Sequence, residues 1–265
     1  MRVSRTLGHS DKKIFLRDIR RDGRTFLLCY HNSLTASSQK LSARFSAGLI
    51  DQDSYRPIYH ENGYAHKPRP VVIREKEINF INASWGLIPS TVESVKQAEW
   101  MEDHLLNAKS ETIFELQSFK ESILERRCLI PSTGFYDSQE VRKKSYPYRV
   151  FLKHEEIFCL AGIWDEWKEP ETGEIKKTFS MLTTAPNKKF SLIHHRMPLI
   201  LPRELEETWI NPSIQNRKEI EPLLQIYPEE NMDFYTIRRF RRNDEFDPDI
   251  LKKVEYEELS QQELF

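Results

Sequence analysis

The sequence has little of what marks several large protein classes. Its 265 residues include only eight glycines, which excludes a collagen-like or glycine-rich low-complexity chain. Neither G-x-G-x-x-G nor G-x-x-x-x-G-K-[ST] occurs, which argues against a phosphate-binding glycine loop. The longest clearly apolar run, residues 157–164, is far shorter than the ~20 residues that a membrane span needs. We therefore expect a protein that works without a membrane.

Cysteine is also scarce. The three cysteines, Cys29, Cys128 and Cys159, form no C-x-x-C pair and no even set that would suggest a disulfide framework. The N-terminus is basic but lacks the apolar segment and cleavage site of a secretory signal. Both observations predict a reducing, cytoplasmic setting.

The composition is typical of a folded protein, and the charged residues are distributed unevenly along the chain. Hydrophobic residues make up 38% and aromatic residues 11% of the chain, enough to build a core. Residues 1–27 carry eight basic and three acidic side chains, a net +5, whereas the rest is net −6. An acidic body argues against a strong duplex-DNA binder and leaves room for a local basic groove.

Local patterns predict one α+β domain without a long linker. Apolar spacing predicts a helix over 36–48, and Ser110 is placed to cap a helix through Leu124. Further helices are expected over 203–210, after Pro202, and 217–225, after Asn216, and a polar tail from 244. Strands are expected over 148–153, 156–164 and 178–184, with β-branched extended stretches between 71 and 81.

Short strings along the chain carry a more specific signal. They occur in this order: C-Y-H-N-S at 29–33, W-G-L-I-P at 85–89, N-A-K-S-E-T at 107–112, R-C-L-I-P at 127–131 with G-F-Y-D at 134–137, A-G-I-W-D-E-W at 161–167, T-T at 183–184 and I-H-H-R-M-P at 193–198. In order and spacing they resemble the SOS response-associated peptidase family, also called abasic-site processing proteins. The resemblance covers roughly residues 28–230.

The resemblance implies a fold and an activity. The fold is a single domain with a curved, barrel-like antiparallel sheet flanked by helices. The activity is binding of single-stranded DNA and covalent capture of abasic sites in the SOS response, with lyase-like strand chemistry and self-cleavage as accompanying activities. An N-terminal cysteine condenses with the sugar aldehyde through its amine, and its thiol closes a thiazolidine. We expect a cytoplasmic monomer that needs neither a metal nor an organic cofactor.

The motif match assigns roles to individual residues. Cys29 is the expected nucleophile, Asn107 holds the cysteine or opened sugar, Asp137 orients the amine or acts as acid and base, and His194 moves protons. Three further residues match positions expected to contact DNA, two of them through phosphates and one by stacking on a base: Lys109, Arg196 and Trp85.

A basic run near the C-terminus adds two candidates outside the resemblance. Arg238 and Arg239 flank Phe240 on its N-terminal side, within a run that continues to 242. Such a run forms either a solvated face or a phosphate contact, and we include both arginines among the expected DNA-binding residues.

The chain departs from the family pattern at three positions. Cys29 follows Leu28, so its nitrogen is an amide that cannot form an imine; we expect residues 1–28 to be a basic extension that is removed or a start assigned too early. The family domain is then 29–243 and the polar tail 244–265. Asp137 replaces glutamate, with a reach ~1.5 Å shorter. Lys109 replaces arginine and loses its bidentate fork.

Two other functions remain open on the sequence alone. In a cysteine peptidase, Cys29, His194 and Asp137 would form a triad, and a free α-amine would not matter. In a non-catalytic module, the groove would bind single-stranded DNA without any covalent step. Blocking the α-amine while leaving the thiol intact separates peptide cleavage from aldehyde capture.

Overall fold

The computed structural model describes residues 29–260, in which thirteen strands are packed with six α-helices. The strands are β1 His31–Leu34, β2 Ile58–Asn62, β3 Pro68–Arg74, β4 Ile78–Trp85, β5 Asn107–Lys109, β6 Arg127–Ser132, β7 Gly134–Val141, β8 Lys144–Leu152, β9 Phe158–Lys168, β10 Ile175–Thr184, β11 Met197–Pro198, β12 Ile200–Leu201 and β13 Met232–Thr236. The helices are α1 Ser38–Phe45, α2 Val95–His104, α3 Gln117–Glu125, α4 Arg203–Trp209, α5 Arg217–Ile220 and α6 Glu257–Ser260.

Five strands close into a barrel. The antiparallel pairs β4–β3, β3–β6, β6–β9 and β9–β10 are joined into a ring by a parallel β10–β4 pair. Val71 and Val72, adjacent on β3, are both fully buried, because one faces the barrel interior and the other faces the helices outside. The barrel-like, mainly antiparallel α+β fold expected from the resemblance is confirmed.

The second sheet is antiparallel, with strand order β13-β8-β7-β1-β2. Its inner face shares an apolar cluster with the barrel, in which Phe135 and Val150 of this sheet pack with Ile130 and Leu160. Sheet and barrel are therefore held against each other by one core, and residues at their common edge are fixed from both sides.

Helices cover the outside of the barrel. Leu41 and Phe45 of α1 and Phe119 and Ile123 of α3 are buried in one cluster with barrel residues. The expected helix over 36–48 is shorter at both ends, with Ser37 as its cap, its hydroxyl accepting the Lys40 N–H at 3.3 Å.

Two sequence expectations need correction. Ser110 caps no helix, because its N–H donates to the Thr183 carbonyl at 2.9 Å and thereby continues the β5–β10 pairing; α3 begins only at Gln117. The helix expected over 217–225 ends at Ile220 and continues as a 3-10 turn.

Residues after 243 are mostly polar, yet Ile250 is fully buried. None of the helices within 29–260 has the length and apolar content to cross a membrane.

Arg127 connects the helices to the barrel through backbone carbonyl groups. Its guanidinium donates to five backbone carbonyls, of Trp209, Ile123, Leu124, Asn211 and Ile214, at 2.5–2.9 Å. Two of these carbonyls belong to the last turn of α3, and the other three lie at or after the end of α4. Burial lowers the pKa of Arg127 to about 10, which leaves the side chain charged near neutral pH.

Arg127→Leu should lower the free energy of unfolding by at least about 3 kcal/mol, since each buried carbonyl left unpaired costs about 1–3 kcal/mol. Arg74→Leu is the matched control on β3, where the half-exposed side chain lies 3.9 Å from Glu207; its change should stay within about 0.5 kcal/mol. Urea unfolding measures both. Equal losses for the two variants would refute the role of Arg127.

Candidate functional site

Cys29 lies where the second sheet meets the barrel. It stands two residues before β1, which runs antiparallel to β7 with His31 opposite Tyr136. This pairing brings the Cys29 thiol to Asp137, and it donates to the Oδ2 atom of that carboxyl group at 3.0 Å. The same thiol lies 3.6 Å from the carbonyl oxygen of Arg196, which comes from the barrel side. Cys29 is 1% exposed.

Asp137 is the centre of the cluster. Its Oδ1 atom accepts the backbone N–H of Ser138 at 2.8 Å, which fixes the carboxyl plane. Its Oδ2 atom faces both the Cys29 thiol and Nδ1 of His194, the latter at 3.6 Å. The shorter side chain of aspartate therefore still reaches the thiol in this fold.

His194 is held by the turn that follows it. Its Nδ1 atom lies 3.1 Å from the carbonyl oxygen of Arg196 and 3.3 Å from the amide nitrogen of that residue. The turn leads into β11, which pairs with the end of β10 through Met197 and Thr184. The side chain is 12% exposed, so the imidazole stands at the boundary between the buried cluster and solvent.

Burial favours the neutral forms of the two acidic groups. It raises the pKa of the Cys29 thiol well above its usual range, and the neighbouring Asp137 carboxylate raises it further. Burial also raises the pKa of Asp137, against the opposing effect of His194. The site therefore holds a protonated thiol beside a carboxyl group, in contrast to a thiolate–imidazolium pair.

The end of β10 positions the remaining motif residues. Asn107 and Lys109 on β5 lie opposite Met181 and Thr183 of this strand. The Oδ1 atom of Asn107 is buried and, within residues 29–260, has no hydrogen-bond partner. Burial lowers the pKa of His195, with smaller contributions from the positive charges of its neighbours, Lys109 among them.

Arg196 is fixed by protein groups. Its guanidinium forms a two-pronged ion pair with Glu111 at 2.7 and 2.9 Å and donates to the Thr183 carbonyl at 2.7 Å. Sequence reasoning missed Glu111, although it stands two residues after Lys109 in the same string. It also missed the Arg196 carbonyl, because a backbone acceptor leaves no residue-type signal.

Trp85 needs a correction. It was expected to stack on a base, but its ring is 2% exposed, and its Nε1–H donates to the Leu106 carbonyl at 2.7 Å. A base cannot reach this face. Gly86 follows with φ +121°, and a Cβ atom there would lie 2.3 Å from the Glu102 carbonyl oxygen. The W-G string is thus a structural requirement of the barrel.

The two arginines of the basic run differ. Arg238 forms ion pairs with Asp244 and Asp247 at 2.7 and 2.8 Å, so it ties the C-terminal segment to the second sheet. Arg239 is exposed. The neighbouring Phe240 stacks on His60 with ring centroids 4.3 Å apart. The run therefore combines an anchoring residue with a residue open to solvent.

Cys29, Asp137 and His194 also satisfy the basic requirement of a metal site, since each offers one ligand atom and all three atoms lie within 4.8 Å of one another. The structure brings these three predicted catalytic residues together. It places Asn107 and Lys109 on β5 beside β10, and Trp85 in the core. Arg238 lies just after β13 and is paired with Asp244.

Asp137→Asn should increase the free energy of unfolding at pH 7. A carboxyl group with a raised folded-state pKa stabilises the fold below its unfolded pKa of about 4, and this contribution is lost as the pH rises through the folded value. Asparagine stays neutral throughout, so wild type and variant should converge at pH 4 and diverge towards pH 7.

Urea unfolding at both pH values measures this difference. Asp233→Asn is the control, because Asp233 is half-exposed, pairs with Lys189 at 3.0 Å and has a lowered pKa; it should give no gain at pH 7. A less stable Asp137→Asn protein at pH 7 would contradict the electrostatic account of the site.

Comparison with known proteins agrees with this geometry. The YoqW protein of Bacillus subtilis, named an abasic site processing protein, is 36% identical over 154 residues, which cover 58% of this chain and 66% of YoqW. The chain thus spans just under two thirds of that relative. HMCES of Gallus gallus, named likewise, is 28% identical over 238 residues, covering 78% of this chain and 69% of HMCES.

Solved structures and a family model identify the domain. A crystal structure of a Bacteroides thetaiotaomicron protein matches with a TM-score of 0.79 at 38% identity, covering 85% of this chain and 100% of that chain. A Bordetella bronchiseptica protein, 22% identical with a TM-score of 0.69, shares the fold. The model described as SOS response associated peptidase (SRAP) matches residues 28–240, a range that contains the whole Cys29–Asp137–His194 cluster. The chain therefore belongs to the SOS response associated peptidase family.

Proposed function

We propose that this protein processes abasic sites in the DNA damage response, by capturing them covalently in single-stranded DNA through Cys29. The observation that carries the proposal is the contact of the Cys29 thiol with Asp137, beside His194, inside a domain of this family. The names of YoqW and HMCES as abasic site processing proteins support the substrate class.

The chemistry uses two groups of one residue. An abasic sugar in its open form carries an aldehyde. The α-amine of Cys29 adds to this carbon, and loss of one water gives an imine. The thiol then adds across the C=N bond, its proton passing to the nitrogen, and a five-membered thiazolidine closes. An α-amine has a pKa of about 8, against about 10.4 for lysine, so a larger share is neutral and nucleophilic near pH 7.

Asp137 and His194 serve the proton transfers of this sequence. Asp137 accepts the hydrogen bond of the thiol, takes its proton as sulfur attacks the imine carbon, and passes a proton on to the ring nitrogen. His194, at the solvent boundary, exchanges protons between this carboxyl group and water. The buried Asn107 amide oxygen is available to accept a hydrogen bond from the opened sugar. A protonated resting thiol suits this order, because the amine attacks first.

The capturing form needs a free α-amine at Cys29. In the 265-residue chain this nitrogen is bonded to Leu28 as an amide, which cannot form an imine. We propose that the active form begins at Cys29. It acts as a monomer in the cytoplasm, where reducing conditions keep the thiol free, and Cys29 is a free cysteine in this structure.

Positive charge near the site suits a DNA backbone. Lys109 lies on β5, beside His195. Leu192, 64% exposed, lies two residues before His194 and offers an apolar contact for a base. Arg196 is already neutralised by Glu111, and Arg238 by two aspartates. We therefore assign phosphate contact to the exposed Arg239 before the two paired arginines. Lys109 is assigned on its place in β5, which sets its charge beside His195 at the edge of the site.

A cysteine peptidase is less well supported by the geometry. In such a triad the imidazole contacts the thiol and a carboxyl group orients the imidazole. Here the order differs, because Asp137 stands between Cys29 and His194 and the thiol donates to the carboxyl group. The raised pKa of Cys29 also opposes a resting thiolate.

The first test uses the protein beginning at Cys29 and single-stranded DNA with one abasic site. We expect an adduct that survives a denaturing gel, because a thiazolidine is covalent. Cys29→Ala should abolish it, and acetylation of the α-amine should do the same although the thiol remains. Cys128→Ala is the control, since Cys128 is a buried cysteine on β6 that is not one of the three clustered residues.

Three results would contradict the proposal. An adduct that persists in Cys29→Ala would assign capture to another residue. Peptide cleavage that survives acetylation while no adduct forms would favour the peptidase. DNA retained in a native gel without any adduct would leave a non-catalytic binding module.

The second test concerns Lys109. Lys109→Gln should weaken binding of single-stranded DNA and reduce the slope of log K against log salt by about 0.7, the value for one lost phosphate contact. Arg238→Gln should leave that slope unchanged, because its charge is already paired with Asp244 and Asp247. Fluorescence anisotropy over a salt series measures both. Equal slopes for Lys109→Gln and wild type would remove Lys109 from the DNA interface.

A further inference from the structure

The cluster at Cys29 brings three different ligand types together: sulfur, oxygen and nitrogen. In a tetrahedral zinc site with usual bond lengths, neighbouring ligand atoms are about 3.4–3.6 Å apart. Here Sγ of Cys29 and Oδ2 of Asp137 are 3.0 Å apart, Oδ2 and Nδ1 of His194 are 3.6 Å apart, and all pairs lie within 4.8 Å. The carboxylate and the imidazole are thus already at a zinc-site separation. The thiol and the carboxylate must move apart by about half an ångström, and the sulfur and the imidazole nitrogen, which lie within 4.8 Å, must come to about 3.6 Å.

We propose that Cys29, Asp137 and His194 bind a zinc ion, and that this ion reversibly blocks abasic-site capture. The effect on capture rests on the proposed function, whereas the metal site itself does not. Binding replaces the thiol proton: the S–H bond breaks, a Zn–S bond forms, and the proton passes to the buffer.

The donor set selects the metal. Thiolate and imidazole ligands favour zinc and other soft or borderline ions, whereas magnesium and calcium require oxygen ligands. In the form that begins at Cys29, the α-amine is a fourth donor, because amine and thiolate on adjacent carbons close a five-membered chelate ring. Sulfur, two nitrogens and one oxygen then complete a tetrahedral set.

The surroundings permit a cation. Arg196 is the nearby positive charge that acts on Cys29, and Glu111 compensates it through a two-pronged ion pair. The backbone N–H and carbonyl oxygen of Arg196 lie 3.3 and 3.1 Å from Nδ1 of His194. Zinc binding at Nδ1 therefore requires these two contacts to break. His194 is partly exposed and provides the side from which an ion enters.

The consequence follows from the atoms involved. Capture requires the amine and the thiol of Cys29, and zinc would occupy both. An occupied site could not form the imine or close the thiazolidine. Removal of the ion by a chelator would restore both nucleophiles, so availability of zinc would set the fraction of protein able to react.

The test titrates the protein beginning at Cys29 with zinc in competition with a chromophoric chelator. We expect one zinc per chain, and an affinity lowered at least about tenfold in each of Cys29→Ala, Asp137→Asn and His194→Gln. The matched controls Cys128→Ala and His154→Gln, a buried cysteine and an exposed histidine outside the cluster, should bind as wild type.

Two further readouts sharpen the test. Cobalt should give a thiolate-to-metal charge-transfer band that Cys29→Ala lacks, and an excess of magnesium should not displace zinc. Circular dichroism melting checks that every variant is folded. Absence of stoichiometric binding by wild type, or equal affinity in wild type and the three ligand variants, would overturn the site.

An adduct assay with one equivalent of zinc, and then with chelator, separates this inference from the proposed function. Capture that stops with zinc and returns with the chelator supports the inference. Capture that proceeds unchanged with zinc overturns it and leaves the function standing. Zinc binding through the three residues in a protein that forms no adduct would support the metal site and contradict the proposed function.

Discussion

The pairing of β10 with its neighbours is the constraint on which the rest of the structure depends. This strand closes the barrel by pairing with β9 on one side and β4 on the other. Its last residues then pair with β5 and β11, which carry Asn107 and lead back to His194. The barrel half of the site is therefore fixed by backbone hydrogen bonds. The second sheet supplies Cys29 and Asp137 through the β1–β7 pair.

The site that results opposes the ionisation of its own groups. A thiol and a carboxyl group meet where solvent is excluded, and both are easier to keep neutral than charged. Such an arrangement costs stability at neutral pH. In the proposed function it holds a nucleophile beside a proton acceptor. His194 at the edge is the group that links this pair to water.

Much of the site could be predicted from the sequence, because its residues stand in short strings of fixed order. Cys29, Asp137 and His194 were predicted from these strings and meet in the structure. The same strings could not distinguish a residue that contacts DNA from one that packs in the core. Trp85 was predicted to stack on a base, but its side chain is buried in the core. The barrel closure and the Arg127 hydrogen bonds join residues far apart in sequence, so local periodicity carries no sign of them.

The central claim is that both nucleophiles of Cys29 form the bond to DNA. Mass spectrometry of the digested adduct, after treatment with a thiol-alkylating reagent, tests it most directly. The account predicts a fragment that carries the abasic sugar on Cys29 with loss of one water and without alkylation, since the thiol is closed in a ring. A sugar on a lysine, or an alkylated Cys29 within the adduct, would contradict it.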